Sequence, residues 1–299
     1  MSLTHVGTQR DILGECPVWD DQEQALYWVD IRRPALRRLD PAGDTETREM
    51  PGLVGAIALT RPGTLLVALA ERVALYDWRT GQLHTVAELP VQRPGHRFND
   101  GRCDRQGRFW VGTMHNLTRA PEGVLYRLDP PGTLVPVLDK LCIPNSLAWS
   151  PDGQAMYFAD SLRHCISRHD FDPRAGAMGE ARPFAATSPP GFPDGSTVDA
   201  EGCLWNAEFN AGRVVRYAPD GRVDRVIPVP TRRPTSCGFG GPDLRTLFIT
   251  STSQDMSDAE LEDEPLAGAL FALDAGVSGI AEPRWAGLAA SARPGEAAQ

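Results

Sequence analysis

The sequence predicts an all-β fold, a six-bladed β-propeller with four antiparallel strands in each blade. Three observations carry that expectation. Six segments share one grammar: an apolar run, a turn, a mostly aromatic strand, and a further strand that ends in a turn. They begin at residues 15, 55, 99, 145, 194 and 236 of a 299-residue chain, a period close to that of one four-stranded propeller blade. Between the strands, 29 Gly and 26 Pro supply the dipeptides that mark tight turns.

The first strands read ECPVWD (15–20), GAIALT (55–60), NDGRCD (99–104), NSLAWS (145–150), DGSTVD (194–199) and SCGFGG (236–241). The second read ALYWVD (25–30), TLLVAL (64–69), RFWVGT (108–113), AMYFAD (155–160), CLWNAE (203–208) and TLFITS (246–251). Third strands follow as ALRRLD, VALYDW, VLYRLD, CISRHD, RVVRYA and ALFALD. A strand from residues 1–12 is expected to pair with the last blade, because a closed ring exposes no long sheet edge. Helical periodicity is missing except around SDAELEDE (257–264), which reads as a solvated turn of helix in an inserted loop. The propeller is expected to be one domain over residues 1–290, and SARPGEAAQ (291–299) a disordered tail. A pair of β-sandwiches or a solenoid would match the regular period less well.

Composition narrows the function. Hydrophobic residues make up 41% of the chain and charged residues 23%, the balance of a globular protein with a real core. A net charge of −9 argues against a nucleic-acid backbone or an anionic membrane as partner. The longest apolar runs, such as LLVALA (65–70), are too short to span a bilayer. The N-terminus shows no export signal. Six Cys without a CxxC pair point to reduced thiols in a cytoplasm rather than to disulfides or a zinc site.

With the repeats in register, the leading residues form a column: Glu15, Gly55, Asn99, Asn145, Asp194 and Ser236. In a propeller the innermost strands line the central channel, so this column is a ring around the axis. Neighbouring carboxylates repel unless one is protonated or a cation lies between them. Glu15, Asn145 and Asp194 together offer two carboxylates and an amide oxygen, a donor set suited to a hard divalent cation. A polar channel filled with water is the other reading of the same ring.

Five stretches carry a resemblance. LGECPVWD (13–20), HRFNDGRCDRQGRFWVGTM (96–114), IPNSLAWSPDG (143–153), FPDGSTVDAEGCLW (192–205) and TSCGFGGPDLRTLFIT (235–250) occur in matching order. They are similar to the regucalcin/gluconolactonase family and, within it, to bacterial sugar-acid lactonases. The resemblance implies a six-bladed propeller with one divalent cation on its axis, hydrolysing aldonolactones. It places the metal ligands on Glu15, Asn145 and Asp194, the residues the column picks out. It makes Asp194 the general base as well, and assigns substrate contacts to Arg97 and Asn99. One departure stands out: GTMHNLTRAPEG (112–123) holds no acid before Glu122, where some members place an acidic substrate contact. That contact is either missing here or supplied by His115 or Asn116.

The cofactor expected is therefore one divalent cation (Ca²⁺, Mg²⁺, Mn²⁺ or Zn²⁺), and the partner a sugar lactone. Two other classes stay open: a propeller hydrolase for phosphotriesters or aryl esters, and a non-catalytic interaction propeller. No nucleophile motif competes. G-x-S-x-G is absent, and the six His show no H-x-H or H-E-x-x-H spacing.

Overall fold

Each repeat forms a four-stranded antiparallel sheet, and six such sheets make the propeller. The computed structural model describes residues 2–91 and 93–287, so the tail expected at 291–299 lies outside the described residues. A short strand, β1 (Thr4–Val6), precedes the first blade. Blade one is β2 (Gly14–Asp20), β3 (Ala25–Asp30), β4 (Ala35–Leu39) and β5 (Thr45–Glu49). Blade two is β6 (Val54–Leu59), β7 (Thr64–Leu69), β8 (Arg72–Asp77) and β9 (Leu83–Glu88). Blade three is β10 (His96–Cys103), β11 (Phe109–His115), β12 (Gly123–Asp129) and β13 (Thr133–Leu141). Blade four is β14 (Pro144–Trp149), β15 (Ala155–Asp160), β16 (Cys165–Asp172) and β17 (Ala177–Ala186). Blade five is β18 (Phe192–Val198), β19 (Leu204–Phe209), β20 (Arg213–Tyr217) and β21 (Val223–Pro228). Blade six contributes β22 (Pro234–Gly240), β23 (Thr246–Ser251) and β24 (Leu270–Asp274), and β1 completes it.

That last pairing closes the ring as expected, with Thr4 opposite Ala272 and Val6 opposite Leu270. Burial falls from the axis outward. β3 and β15 are buried along their whole length, whereas the outermost β5 reads TETRE and is part-exposed throughout. Charge on those outer edges discourages pairing with another chain.

Second-strand tryptophans anchor alternate blades. Trp28, Trp110 and Trp205 are fully buried, and each indole N–H donates to a buried carboxylate, Asp11 at 2.7 Å, Asp104 at 3.1 Å and Asp199 at 2.8 Å. An arginine closes each unit: Arg37 on Asp11, Arg108 on Asp104 and Arg216 on Asp199. These carboxylates are paired and hydrogen-bonded, so their burial is compensated. Trp19 and Trp149 are buried as well, so these indoles serve the blades rather than a binding surface.

Between β23 and β24 lies the single described α-helix, α1 (Asp258–Asp263). Ser257 Oγ accepts from the Glu260 amide while the Glu260 carboxylate accepts from the Ser257 amide. This is the capping box implied by Ser followed three residues later by Glu. All six cysteines are free thiols. Among the described residues no helix is long and apolar enough to cross a membrane.

The two ends of the channel differ. After β24 the chain crosses the end where first and second strands are joined, touching five blades in passing. Ser278 O accepts from Ala200 N, Gly279 N donates to Leu244 O, Trp285 N to Leu59 O, and Ala286 N to Gly107 O. Arg284 reaches Asp20 and Asp21 of blade one. Glu282 pairs with Arg102 at 2.5 Å. This strap covers one end of the axis and leaves the other as the mouth.

Candidate functional site

At the open end the six first strands begin, and each breaks its register with the second strand close to the column residue. The shifts fall between Glu15 and Val18, Val54 and Ala56, Phe98 and Gly101, Asn145 and Ala148, Pro193 and Ser196, and Pro234 and Ser236. A bulge re-aims a side chain. Beside two of the column residues it does so through left-handed backbone, at Cys16 (φ 52°) and Ser146 (φ 61°).

Gly55 has a spatial reason. A Cβ there would lie 2.3 Å from the Phe98 carbonyl oxygen and 2.8 Å from that of Asn99. Its bareness lets blade three approach blade two next to Arg97 and Asn99.

The mouth opens into a cavity of about 730 Å³, counting the space at its entrance, within the range of small-molecule sites. Glu15, Arg97, Asn99, Asn145 and Asp194 all line it. His115, assigned to substrate from the sequence, does not. Its Nδ1 accepts the amides of Leu117 and Thr118 at 3.3 and 3.1 Å, and its ring packs edge-on against His96. Strand alternation is the reason: Met114 and Asn116 line the cavity, so the residue between them faces away. Glu122 does not line the cavity either; its carboxylate lies 3.3 Å from His96 Nε2.

A hydrogen-bonded relay fixes the floor. Arg97 Nη1 donates to Asn99 Oδ1 at 2.6 Å, and Asn99 Nδ2 to Asn145 Oδ1 at 2.9 Å. Asn145 Nδ2 donates to Ser161 Oγ at 2.9 Å, and Ser161 Oγ to Pro193 O at 2.7 Å. The direction of this chain sets which end of each amide is oxygen. The Asp194 carbonyl is held by Ser146 Oγ at 2.8 Å and Asn206 Nδ2 at 3.0 Å. Asn99 spends its second amide hydrogen on Pro144 O at 3.0 Å. It faces the cavity with both donors engaged.

The acids are another matter. Among the described residues, Asp194 Oδ1 is buried with no hydrogen-bond partner, and Glu15 accepts only the Cys16 amide, at 3.3 Å. Burial, then the charge of Asp100, pushes the Glu15 carboxyl up to about 8. Burial, then Glu15 and Asp100, holds Asp194 well above the usual carboxylate range. Asp100 lies beneath them, its Oδ2 accepting from the Leu147 amide at 2.9 Å, and is also raised, chiefly by burial. No sequence reading had singled it out. Among the described residues no three His, Cys, Asp or Glu side chains come together as a metal-binding group. The set here is two carboxylates and an amide oxygen. An orphaned buried carboxylate oxygen beside a second acid is a donor set that a cation would satisfy.

The rim comes from the connections between second and third strands. Arg32, Asn116, Arg119, Ser161, Asn210 and Gln254 all line the cavity from such connections. Apart from Asn116 they lie outside the sequence-level site, because rim loops follow no repeat and no column reads them.

Fold and mouth together define an axial-pocket propeller whose polar floor is acid and amide and whose rim is basic. The chain belongs to the SMP-30/gluconolactonase/LRE-like family, whose model matches residues 13–253. It is 43% identical to the 6-deoxy-6-sulfogluconolactonase of Pseudomonas putida over 290 residues, covering 96% of this chain and 99% of that protein. It is 40% identical to the L-arabinolactonase of Azospirillum brasilense, covering 95% of each. The calcium-binding protein regucalcin of Agrobacterium tumefaciens superposes with a TM-score of 0.89 at 34% identity, over 93% of this chain and 95% of that one.

Proposed function

We propose that this protein is a cytoplasmic, cation-dependent lactonase that hydrolyses sugar lactones to sugar acids. The observation that carries the reading is the floor of the mouth: Asp194 Oδ1 buried without a partner among the described residues, beside Glu15 and Asn145 in one cavity. Lactonase relatives that match nearly the whole chain support it.

A lactone is an internal ester. Water must add to its carbonyl carbon, the ring C–O bond must break, and the departing ring oxygen must receive a proton. A divalent cation held by Glu15, Asn145 and Asp194 would polarise the carbonyl and acidify a bound water. The donors are all oxygen, which suits Ca²⁺, Mg²⁺ or Mn²⁺, and Zn²⁺ also accepts carboxylates. Asp194 takes the proton of the attacking water and returns it to the ring oxygen. Arg97 turns toward substrate the one guanidinium nitrogen without a protein partner among the described residues, its others being bonded to Asn116, Phe98 and Asn99. Asn99 serves by orienting Arg97 and Asn145. His115 takes no part.

The test is a substrate panel with a metal readout. Purified protein should open glucono-1,5-lactone and lose that activity on chelation. It should act far more slowly on an aryl ester or a phosphotriester. Asp194→Asn should lower turnover by about a hundred- to ten-thousand-fold and abolish the rise in melting temperature that added Ca²⁺ gives the wild type. A wild type whose lactone hydrolysis and melting are both indifferent to divalent cations refutes the reading.

A further inference from the structure

Three arginines line the mouth, and none of them lies within ion-pair distance of a carboxylate among the described residues. Arg97 belongs to the floor. Arg32 follows β3 in blade one, and Arg119 lies in the connection from β11 to β12 in blade three. The intervening blade two turns from β7 to β8 through Ala70 and Glu71 alone and contributes nothing to the cavity wall. Arg32 and Arg119 therefore line the cavity from the two blades that flank blade two.

Arg32 Nε donates to Gln254 Oε1 at 2.5 Å, a neutral partner that positions it without cancelling its charge. Neither Arg32 nor Arg119 lies within ion-pair distance of a carboxylate among the described residues, unlike Arg37, Arg38, Arg102, Arg108, Arg216 and Arg284. Both are near enough to Arg97 to add to the effect of burial in lowering its proton affinity. Among the described residues the acids lining the cavity are Glu15 and Asp194 alone, and they belong to the axial column. A basic mouth on a chain of net charge −9 is a local field that selects an anion.

We infer that the pocket takes lactones carrying an anionic group (sulfonate, phosphate or carboxylate) on the carbon remote from the ring carbonyl, held between Arg32 and Arg119. The inference rests on the lactonase reading for its orientation: carbonyl on the floor, anion at the rim. Guanidinium forks match the oxygens of all three groups.

The experiment compares glucono-1,5-lactone with its 6-phospho and 6-deoxy-6-sulfo counterparts in steady-state kinetics. In parallel, calorimetry measures binding of gluconate, 6-phosphogluconate and 6-deoxy-6-sulfogluconate, which needs no turnover. The anionic lactones should be preferred in kcat/KM by about ten- to a hundred-fold, the size expected for charged hydrogen bonds. That preference should shrink as salt is raised. The double variant Arg32→Gln, Arg119→Gln should lose most of it, and the Arg32→Lys, Arg119→Lys pair should keep a substantial part. Comparing the phosphate and sulfonate arms separates those two groups.

If neutral and anionic lactones are opened equally and the anionic acids bind no tighter than gluconate, the inference fails and the lactonase reading stands. If no lactone is opened but the anionic acids bind through the two arginines, the lactonase reading fails and the anion site stands. A preference that survives the double Gln variant overturns the assignment to Arg32 and Arg119.

Discussion

Arg97 is held in place by its own neighbours. Nε is held by Asn116 Oδ1 at 2.9 Å, and Nη1 by the Phe98 carbonyl at 2.9 Å and Asn99 Oδ1 at 2.6 Å. The side chain is almost fully buried and forms no ion pair among the described residues, and these three hydrogen bonds set its rotamer before any ligand arrives. A charged donor on a buried acceptor contributes about 1.5–3 kcal/mol. Arg97→Ala should therefore lower kcat/KM on a sugar lactone by about ten- to a hundred-fold, and by much less on an unsubstituted butyrolactone, which has no hydroxyls to hold. Equal losses on the two would show that Arg97 acts on the reacting ester itself. At this scale the sequence was informative wherever the repeat could be aligned. Glu15, Asn145 and Asp194 share one position in three blades and meet at one mouth. His115 was misplaced because a motif ending a strand does not say which of two adjacent residues faces inward. Arg32 and Arg119 went unseen because isolated loop arginines look like ordinary surface charge.

At the scale of elements, the first strands are what make a site out of six similar sheets. Their predicted starts agree with the structure to within a few residues, since apolar content and turn residues specify them. The breaks in register were not legible. Whether a strand bulges depends on how closely its neighbour approaches, and that is a contact across blades rather than a local preference. Gly195, next to Asp194, records such an approach. A Cβ there would meet Ser236 at 2.1 Å from Oγ and 2.8 Å from Cα, and backbone cannot swing aside as a hydroxyl can. Gly195→Ala should destabilise the protein by roughly 1–3 kcal/mol and lower activity through Asp194. Gly52 meets nothing within 4 Å, so Gly52→Ala should stay within about 0.5 kcal/mol of wild type. Chemical denaturation of the two variants beside wild type checks this. Equal stabilities for both would mean that blades five and six can separate locally at no cost.

For the whole molecule, the repeat period revealed six blades and the ring closure but gave no hint of the strap, which carries no repeat and little apolar pattern. Its effect is to cover one end of the channel and leave the basic mouth as the other. Trp285 is the strap's anchor: 6% exposed, it packs into the core shared by blades one to three and donates its amide to Leu59 O at 2.7 Å. Removing a buried Trp side chain costs about 3–5 kcal/mol. Trp285→Ala should thus lower the melting temperature by several degrees, because a ring of blades unfolds cooperatively and the strap touches five of them. The mouth is at the opposite end of the axis, so KM for a sugar lactone at 25 °C, well below the transition, should change by less than about twofold. Calorimetric melting and steady-state kinetics on the same preparation read both quantities. An unchanged melting temperature would show that the strap lies outside the cooperative unit. A raised KM with normal melting would show that the Glu282–Arg102 pair beneath it reaches Asp100 and, through it, the floor of the site.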